Sequence, residues 1–273
     1  MPGSFFVIGS PVAHSLSPQI HSTLFERYGL SGFSYGIREV TKAGLPAFLD
    51  EVRKTGVSGF NITMPLKQDV LPYLDFIDQS AQKGANTVVQ KDGKLLGYST
   101  DAPGFFRALR TKISDLSGKT ILFIGAGAVA EALAGYASSQ GMGRIFIVNR
   151  TATKAQKIAT QKNMLAGGLD ALLGWLPECD ILVNTTPLGM AGTNEDFDDL
   201  SFLEQLKKGA LVCDLIYKPD KTAFLKSAQA LGFDIQNGLY MLIWQAFFAF
   251  EKFTGILPTD ADFEYILSLL QKN

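Results

Sequence analysis

The stretch KTILFIGAGAVAEALAGYA, beginning at Lys119, restricts what this chain can fold into more than any other. An apolar run that reads as a buried strand leads into Gly125-x-Gly127-x-x-Ala130, and an alanine-rich run that reads as a helix follows. Gly125 permits a tight turn, Gly127 lets the backbone approach a pyrophosphate, and the small Ala130 allows the helix to lie close on the strand. The first turn of the helix then offers unpaired N–H groups and the positive end of its dipole to phosphates. A glycine loop of this form is weak evidence alone, because a strand-to-helix turn without any ligand uses the same residues. With a strand before it, a helix after it and a further strand beyond, it points to a dinucleotide-binding fold. Gly125, Gly127 and Ala128 are its candidate cofactor contacts.

Apolar runs alternate with helical patterns over the rest of the chain. SFFVIG, FSYGIR and VSGFNIT read as strands separated by helices near 18–28 and 43–54, with another helix expected from Pro65. NTVVQKDGKLLGY reads as a hairpin turning at Asp92-Gly93. A second series runs through KTILFIG, RIFIVNR, CDILVNTT and ALVCDLIY. Strands alternating with helices imply parallel sheets and an α/β class, here in two domains. The polar stretch ALRTKISDLSGKT suits the junction, and two helices close the chain.

Composition removes several function classes. With 25 Lys+Arg against 26 Asp+Glu, the net charge of −1 gives no footprint for nucleic acid. LYMLIWQAFFAF is too short to span a bilayer and is interrupted by Gln245. The start, MPGSFFVIGSPV, lacks the basic region of a secretory leader, and Cys179 and Cys213 sit beside apolar runs as buried thiols would. The expectation is a cytoplasmic protein without membrane contact.

At the end of the second strand of the dinucleotide fold, an NAD site would carry Asp or Glu for the ribose hydroxyl. Asn149-Arg150-Thr151 stands there, with Lys154 beyond. Arg can grip a 2′-phosphate with a planar fork and Lys with a point charge, so NADP is expected over NAD.

The only two histidines, His14 and His21, flank Ser15-x-Ser17-Pro18. Seven positions apart and without a Cys or carboxylate cluster, they do not make a metal site, and none is expected. Nothing supplies the oriented base that a serine nucleophile requires. Ser17-Pro18 reads instead as N-cap and first helical residue, with Gly29 as the stop. Ser15 and Ser17 would then set two hydroxyls beside a helix start, which suits a carboxylate; capping alone accounts for Ser17 equally well. Lys67 is expected in the first turn of the helix after Pro65, against the dipole. It is a solvated surface charge or a residue held there for a task. Asp101 precedes Pro103 where a plain cap would stand, and Asn86 lies at the turn into the hairpin. These residues come from loops after strands and from helix edges, where open α/β sheets bind ligands, and they are expected to line one cleft facing a nicotinamide.

Taken in order, VIGSPVAHSLSPQIH, NITMPLK, ANT, STD, GAGAVAEA, NRT, NTTPLGM, DLIYKP and GLYMLIWQA resemble the shikimate dehydrogenase family over nearly the whole chain. The resemblance implies a substrate domain at 1–102, an NADP-binding Rossmann domain at 103–237, and C-terminal helices at 238–273 that return to the first domain. It implies NADP(H) as cofactor, shikimate or 3-dehydroshikimate as substrate, and a monomer or homodimer. By the same resemblance Ser15 and Ser17 hold the substrate carboxylate, Thr63, Asn86 and Gln245 bind ring hydroxyls, and Tyr217 approaches the substrate. Lys67 and Asp101 form the catalytic pair. Asn149, Arg150, Thr151 and Lys154 clamp the 2′-phosphate, and Gly238 and Met241 fall near the nicotinamide. Ser22 and Ser99 stand where the family usually has Asn, Ala102 where Gly is usual, and QKGANT is one residue short of the common pattern. The implied activity is reversible reduction of 3-dehydroshikimate in aromatic biosynthesis. Its rivals are a quinate-type dehydrogenase, a non-catalytic NADP-binding regulator, and a Rossmann methyltransferase. The basic residues after the second strand speak against the methyltransferase.

Overall fold

A computed structural model of the chain describes residues 3–193 and 195–272. The chain forms two compact units, one built from the residues up to Gly104 and again from Ile243 onward, the other from Phe105–Leu242. The chain passes between them within helices, not in the polar stretch ALRTKISDLSGKT.

In the first unit, β1 (Gly3–Gly9), α1 (Ser17–Arg27), β2 (Phe33–Glu39), α2 (Leu45–Lys54) and β3 (Val57–Ile62) alternate, and β1 pairs in parallel with both β2 and β3. β4 (Phe76–Ile77), β5 (Thr87–Lys91) and β6 (Lys94–Tyr98) complete a sheet ordered β2-β1-β3-β5-β6-β4. β5 runs antiparallel to β3 and to β6. The β5–β6 hairpin turns on Asp92 and Gly93, both at positive φ, as the tight turn expected there demands. α2 buries Leu45, Phe48, Leu49 and Val52 against Phe60, Val88 and Leu95. Each such side chain contributes about 1.5–3 kcal/mol on leaving water.

Two local expectations fail. No helix starts at Pro65: residues 64–70 form successive turns. The Lys67 carbonyl, which helix propagation would give to Leu71, accepts the Ala85 N–H at 2.9 Å, and Leu71 N–H turns to Gln68. Lys67 is therefore not set against a helix dipole. Nor is Ser17 the cap of α1. Leu16 occupies that position, Ser17 is the first helical residue, and no side chain caps the helix.

α3 (Asp101–Leu109) leads into the second unit. There β7 (Thr120–Ile124), α4 (Ala128–Ser139), β8 (Arg144–Val148), α5 (Ala152–Ile158) and β9 (Met164–Gly167) are followed by a short α6 (Leu172–Trp175). β10 (Ile181–Asn184), β11 (Leu211–Asp214), α7 (Ala223–Ala230) and β12 (Asp234–Gln236) follow. All six strands are parallel, in the order β12-β11-β10-β7-β8-β9. Every residue of β7, β10 and β11 is buried, as expected of central strands covered on both faces. Strand order reverses between β7 and β10, the place where such sheets bind ligands.

α8 (Gly238–Thr254) carries the chain back to the first unit, and α9 (Asp260–Leu270) ends it. Thr259 and Asp262 form a reciprocal capping box at the start of α9. The Asp262 carboxylate also accepts from Arg27 Nε at 2.8 Å and Tyr28 Oη at 2.6 Å, tying α9 to α1. Burial pushes the Asp262 carboxyl upward, but these donors and Thr259 outweigh it and hold it at about 2. Among the described residues no helix is long and apolar enough to cross a membrane.

Candidate active site

In the first unit the parallel register sets the segments after β1 and β3 side by side. Thr63 N–H donates to Ile8 O at 2.9 Å and Ser10 N–H to Met64 O at 3.4 Å. A Cβ on Gly9 would run into the Thr63 side chain, so glycine is what lets the two segments touch. The serine loop and the Thr63–Lys67 turn therefore leave one edge of the sheet together. Ser15 Oγ accepts the Ser17 N–H at 3.3 Å. Ser17, relieved of capping, is buried.

The pairing of β3 with β5 and of β5 with β6 brings the other polar residues to the same edge. Asn61 lies opposite Thr87, and Thr87 opposite Tyr98, so Asn86 and the start of α3 are neighbours. Lys67 Nζ donates to Asp101 Oδ2 at 2.6 Å, with side-chain exposures of 32% and 14%. Asn86 Nδ2 donates to Asp101 Oδ1 at 2.8 Å and lies 3.3 Å from Gln245 Oε1. α8 can bring Gln245 here because a Cβ at Gly104 would overlap its backbone. Asp101 thus turns its carboxylate to Lys67 and Asn86, beyond what a helix cap would ask of it. The result is an ammonium gripped by an oriented carboxylate, yet a third exposed: an arrangement that can exchange a proton with a bound hydroxyl or ketone.

His21 is buried beneath this site, its ring stacked on Tyr35 with centroids 4.3 Å apart and planes 2° apart. Neither ring nitrogen has a hydrogen-bond partner, and burial drives its pKa down to about 3. His14 is exposed. Among the described residues no group of three or more His, Cys, Asp or Glu side chains is placed to hold a metal ion.

In the second unit the glycine loop leaves the start of α4 open. Gly125 adopts φ +114°, a conformation that disfavours side chains, and a Cβ there would press on Thr185. Gly127 precedes α4 with no side-chain cap, and a Cβ on it would meet nothing within 4 Å, so its backbone is open to close approach. Ala128 begins α4, and Ala130 is fully buried against the sheet. Asn149, Arg150 and Thr151 bridge β8 and α5, and Lys154 lies in the first turn of α5. Arg150 and Lys154 are exposed, and Asn149 Nδ2 donates to Thr151 O at 3.0 Å. Tyr217 follows β11, and burial raises its phenol pKa. Gly238 packs so closely that a Cβ would overlap the Leu215 carbonyl, a demand of packing in its own right; Met241 lies one turn further along α8.

Several polar residues around these sites escaped the reading of the sequence. In the first unit they are Tyr35, Asn61 and Thr87, all buried. In the second, Asp214 accepts from Asn184 Nδ2 at 3.1 Å, Ile216 N–H at 3.0 Å and Thr222 Oγ1 at 2.7 Å, shaping the loop that bears Tyr217. Burial raises the Asp214 carboxyl to about 6 against these bonds. The available signal was a polar residue inside an apolar strand, as Asn61 is in VSGFNIT and Asp214 in LVCDLIY.

Comparison with known proteins agrees with this geometry. The family model described as the shikimate dehydrogenase substrate binding domain matches residues 7–88, and that described as shikimate / quinate 5-dehydrogenase matches residues 107–215. The chain is 39% identical over 258 residues to shikimate dehydrogenase (NADP(+)) of Geobacillus kaustophilus, covering 92% of both chains. It is similar to the crystal structure of a shikimate dehydrogenase in complex with NADP+, with TM-score 0.86, 36% identity, and 96% and 93% of the two chains covered. It is also similar to the shikimate 5-dehydrogenase of Thermus thermophilus in complex with NADP(H) and shikimate, with TM-score 0.83, 35% identity, and 96% and 97% covered.

Proposed function

The chain belongs to the shikimate dehydrogenase family, and we propose that it catalyses the reversible NADPH-dependent reduction of 3-dehydroshikimate to shikimate in chorismate and aromatic amino-acid biosynthesis. The observation that carries this reading is the Lys67–Asp101–Asn86 chain, with contacts of 2.6 and 2.8 Å. A non-catalytic regulator on the same fold has no use for an ammonium held in line by a carboxylate at the edge of a polar site.

The proposed roles follow from the chemistry. The Ser15 and Ser17 hydroxyls donate to the shikimate carboxylate, while Thr63, Asn86 and Gln245 bind ring hydroxyls and Tyr217 approaches the substrate. Asn86 Nδ2 lies 2.8 Å from Asp101 Oδ1, 2.9 Å from Thr100 Oγ1 and 3.3 Å from Gln245 Oε1, and this longest contact is the one a ligand hydroxyl would exchange. Gly125, Gly127 and Ala128 take the pyrophosphate. Asn149, Arg150, Thr151 and Lys154 take the 2′-phosphate, and Gly238 and Met241 lie by the nicotinamide. Bound there, NADPH would supply the hydride for the ketone carbon. As charge builds on the ketone oxygen, Lys67 Nζ gives it a proton, leaving an alcohol and a neutral amine. In the reverse direction the same amine takes the hydroxyl proton. Asp101 keeps the Lys67 Nζ aligned and accepts a hydrogen bond from the reacting hydroxyl.

The functional division we propose gives residues 1–102 to the substrate, 103–237 to the cofactor and 238–273 to helices that complete the substrate domain. The protein acts in the cytoplasm as a monomer or homodimer. Its buried Cys179 and Cys213, which form no disulfide, suit a reducing compartment. NADP+ reduction measured with shikimate and quinate side by side tests the assignment. Turnover with shikimate well above that with quinate is expected; no NADPH with either would overturn it.

A further inference from the structure

Behind the site of the first unit runs a buried chain of hydrogen bonds to which the reaction above gives no part. Tyr35 Oη on β2 lies 2.7 Å from Asn61 Oδ1 on β3. Asn61 Nδ2 lies 3.0 Å from Thr87 Oγ1 and 3.1 Å from the Asn86 carbonyl, and Thr87 Oγ1 lies 2.9 Å from Asn86 Oδ1. All four residues are buried, so no water network can replace one member freely.

The direction of every bond in this chain is forced. The Asn86 main-chain carbonyl can only accept, so the Asn61 amide must present its nitrogen there and its oxygen to Tyr35. The phenol, facing an oxygen, donates its one hydrogen. Thr87 Oγ1 accepts from Asn61 and therefore gives its own hydrogen to Asn86 Oδ1. Thr100 N–H reaches the same oxygen at 2.8 Å. With its oxygen held by these donors, the Asn86 side chain turns its NH₂ to Asp101 Oδ1 and to Thr100 Oγ1 at 2.9 Å, which leaves Asp101 Oδ2 to Lys67. The far end is held as well, since His21 lies flat on the Tyr35 ring.

We propose that Thr87, oriented by Asn61 and Tyr35, is a positioning residue for the reaction: its hydroxyl locks the Asn86 amide in the one orientation that aligns Asp101 with Lys67. The proposal rests on the function proposed above. Without that hydroxyl, Asn86 Oδ1 keeps the Thr100 N–H and the longer 3.2 Å contact with Thr100 Oγ1, Asn61 Nδ2 loses an acceptor, and the Asn86 amide that aligns Asp101 is held less firmly. The cofactor residues of the second unit are not part of this chain.

Thr87→Val keeps the shape of the side chain and removes the hydroxyl, whereas Thr87→Ser keeps the hydroxyl and removes a methyl. Both are assayed for NADP+ reduction with shikimate, with thermal melting alongside to establish that each is folded. For Thr87→Val we expect kcat to fall roughly tenfold from misalignment, with KM for NADP+ within about twofold of the parent. Thr87→Ser should stay within about threefold of the parent in kcat, because only the donor matters to the alignment. A merely structural role predicts the reverse order of damage in melting and no change in kcat. A folded Thr87→Val protein with parental kcat, or a Thr87→Ser protein equally impaired, overturns the proposal while leaving the functional reading intact. If Thr87→Val does not fold, Thr87→Ala carries the test: it removes the same hydroxyl with a smaller side chain, and a folded Thr87→Ala protein with parental kcat overturns the proposal. A parent that makes no NADPH from shikimate removes the functional reading and this proposal together.

Discussion

Replacing His21 by Phe should change how stability depends on pH, by an amount the structure fixes. The imidazole is enclosed by Tyr35, Phe25, Phe250 and Phe253, and both its nitrogens lack partners. Burial lowers its pKa from 6.5 to about 3. The unfolded chain therefore binds a proton between these values that the folded chain refuses. The stability that depends on a neutral His21 is fully present above pH 6.5 and is lost as pH falls toward 3. Between pH 7 and pH 5 the loss amounts to about 2 kcal/mol, from 1.36 kcal/mol per unit below the unfolded pKa. The Asp214 carboxyl, raised to about 6, has the opposite sign: its contribution is full below the unfolded value of 3.8 and is lost as pH rises through 6. It acts equally in parent and variant and so cancels in their difference. Urea unfolding of parent and His21→Phe at pH 7, 6 and 5 should show the variant gaining on the parent by about 2 kcal/mol over that range. The stacked position accepts another aromatic ring, so the variant should fold. A difference that does not change with pH would refute the neutral, buried imidazole.

Two further outcomes test the binding roles. Arg150→Gln should raise KM for NADP+ at least roughly tenfold and leave NAD+ kinetics almost unchanged, because only the 2′-phosphate loses a charge-assisted contact; equal losses with both cofactors would contradict the clamp. Ser15→Ala and Ser17→Ala should each raise KM for shikimate and be nearly indifferent toward an analogue lacking the carboxylate. Unchanged KM in both variants would remove the carboxylate assignment.

The central strands were legible because their signal is local. TILFI, RIFIV, ILVN and LVCD are mostly apolar runs of the kind that a strand covered on both faces carries. The glycine loop was legible because Gly125 and Gly127 answer steric demands of the turn itself. What failed depended on partners distant in sequence. The segment after Pro65 carries a helical pattern, but the Lys67 carbonyl is claimed by Ala85, which no local pattern reveals. Ser17-Pro18 has the form of a cap, yet the helix begins one residue earlier than that pairing implies. The chain from Tyr35 to Asn86 exists only because Asn61 on β3 and Thr87 on β5 are placed opposite one another by an antiparallel register. Lys67 and Asp101 could be singled out as residues, but their 2.6 Å contact is a consequence of the fold.

That contact carries the account, and the turnover of Lys67→Ala tests it most directly. Steady-state NADP+ reduction with shikimate, with melting to establish that the variant is folded, should show kcat lowered by roughly 10²–10⁴-fold, the span of a lost general acid–base, with KM for shikimate changed far less. Asp101→Asn should be similarly impaired, and the double variant little worse than either single one, because the two side chains act as a unit. A folded Lys67→Ala protein that turns over shikimate at nearly the parental rate would make Lys67 a surface charge and Asp101 a helix residue without a catalytic part, and would contradict the mechanism.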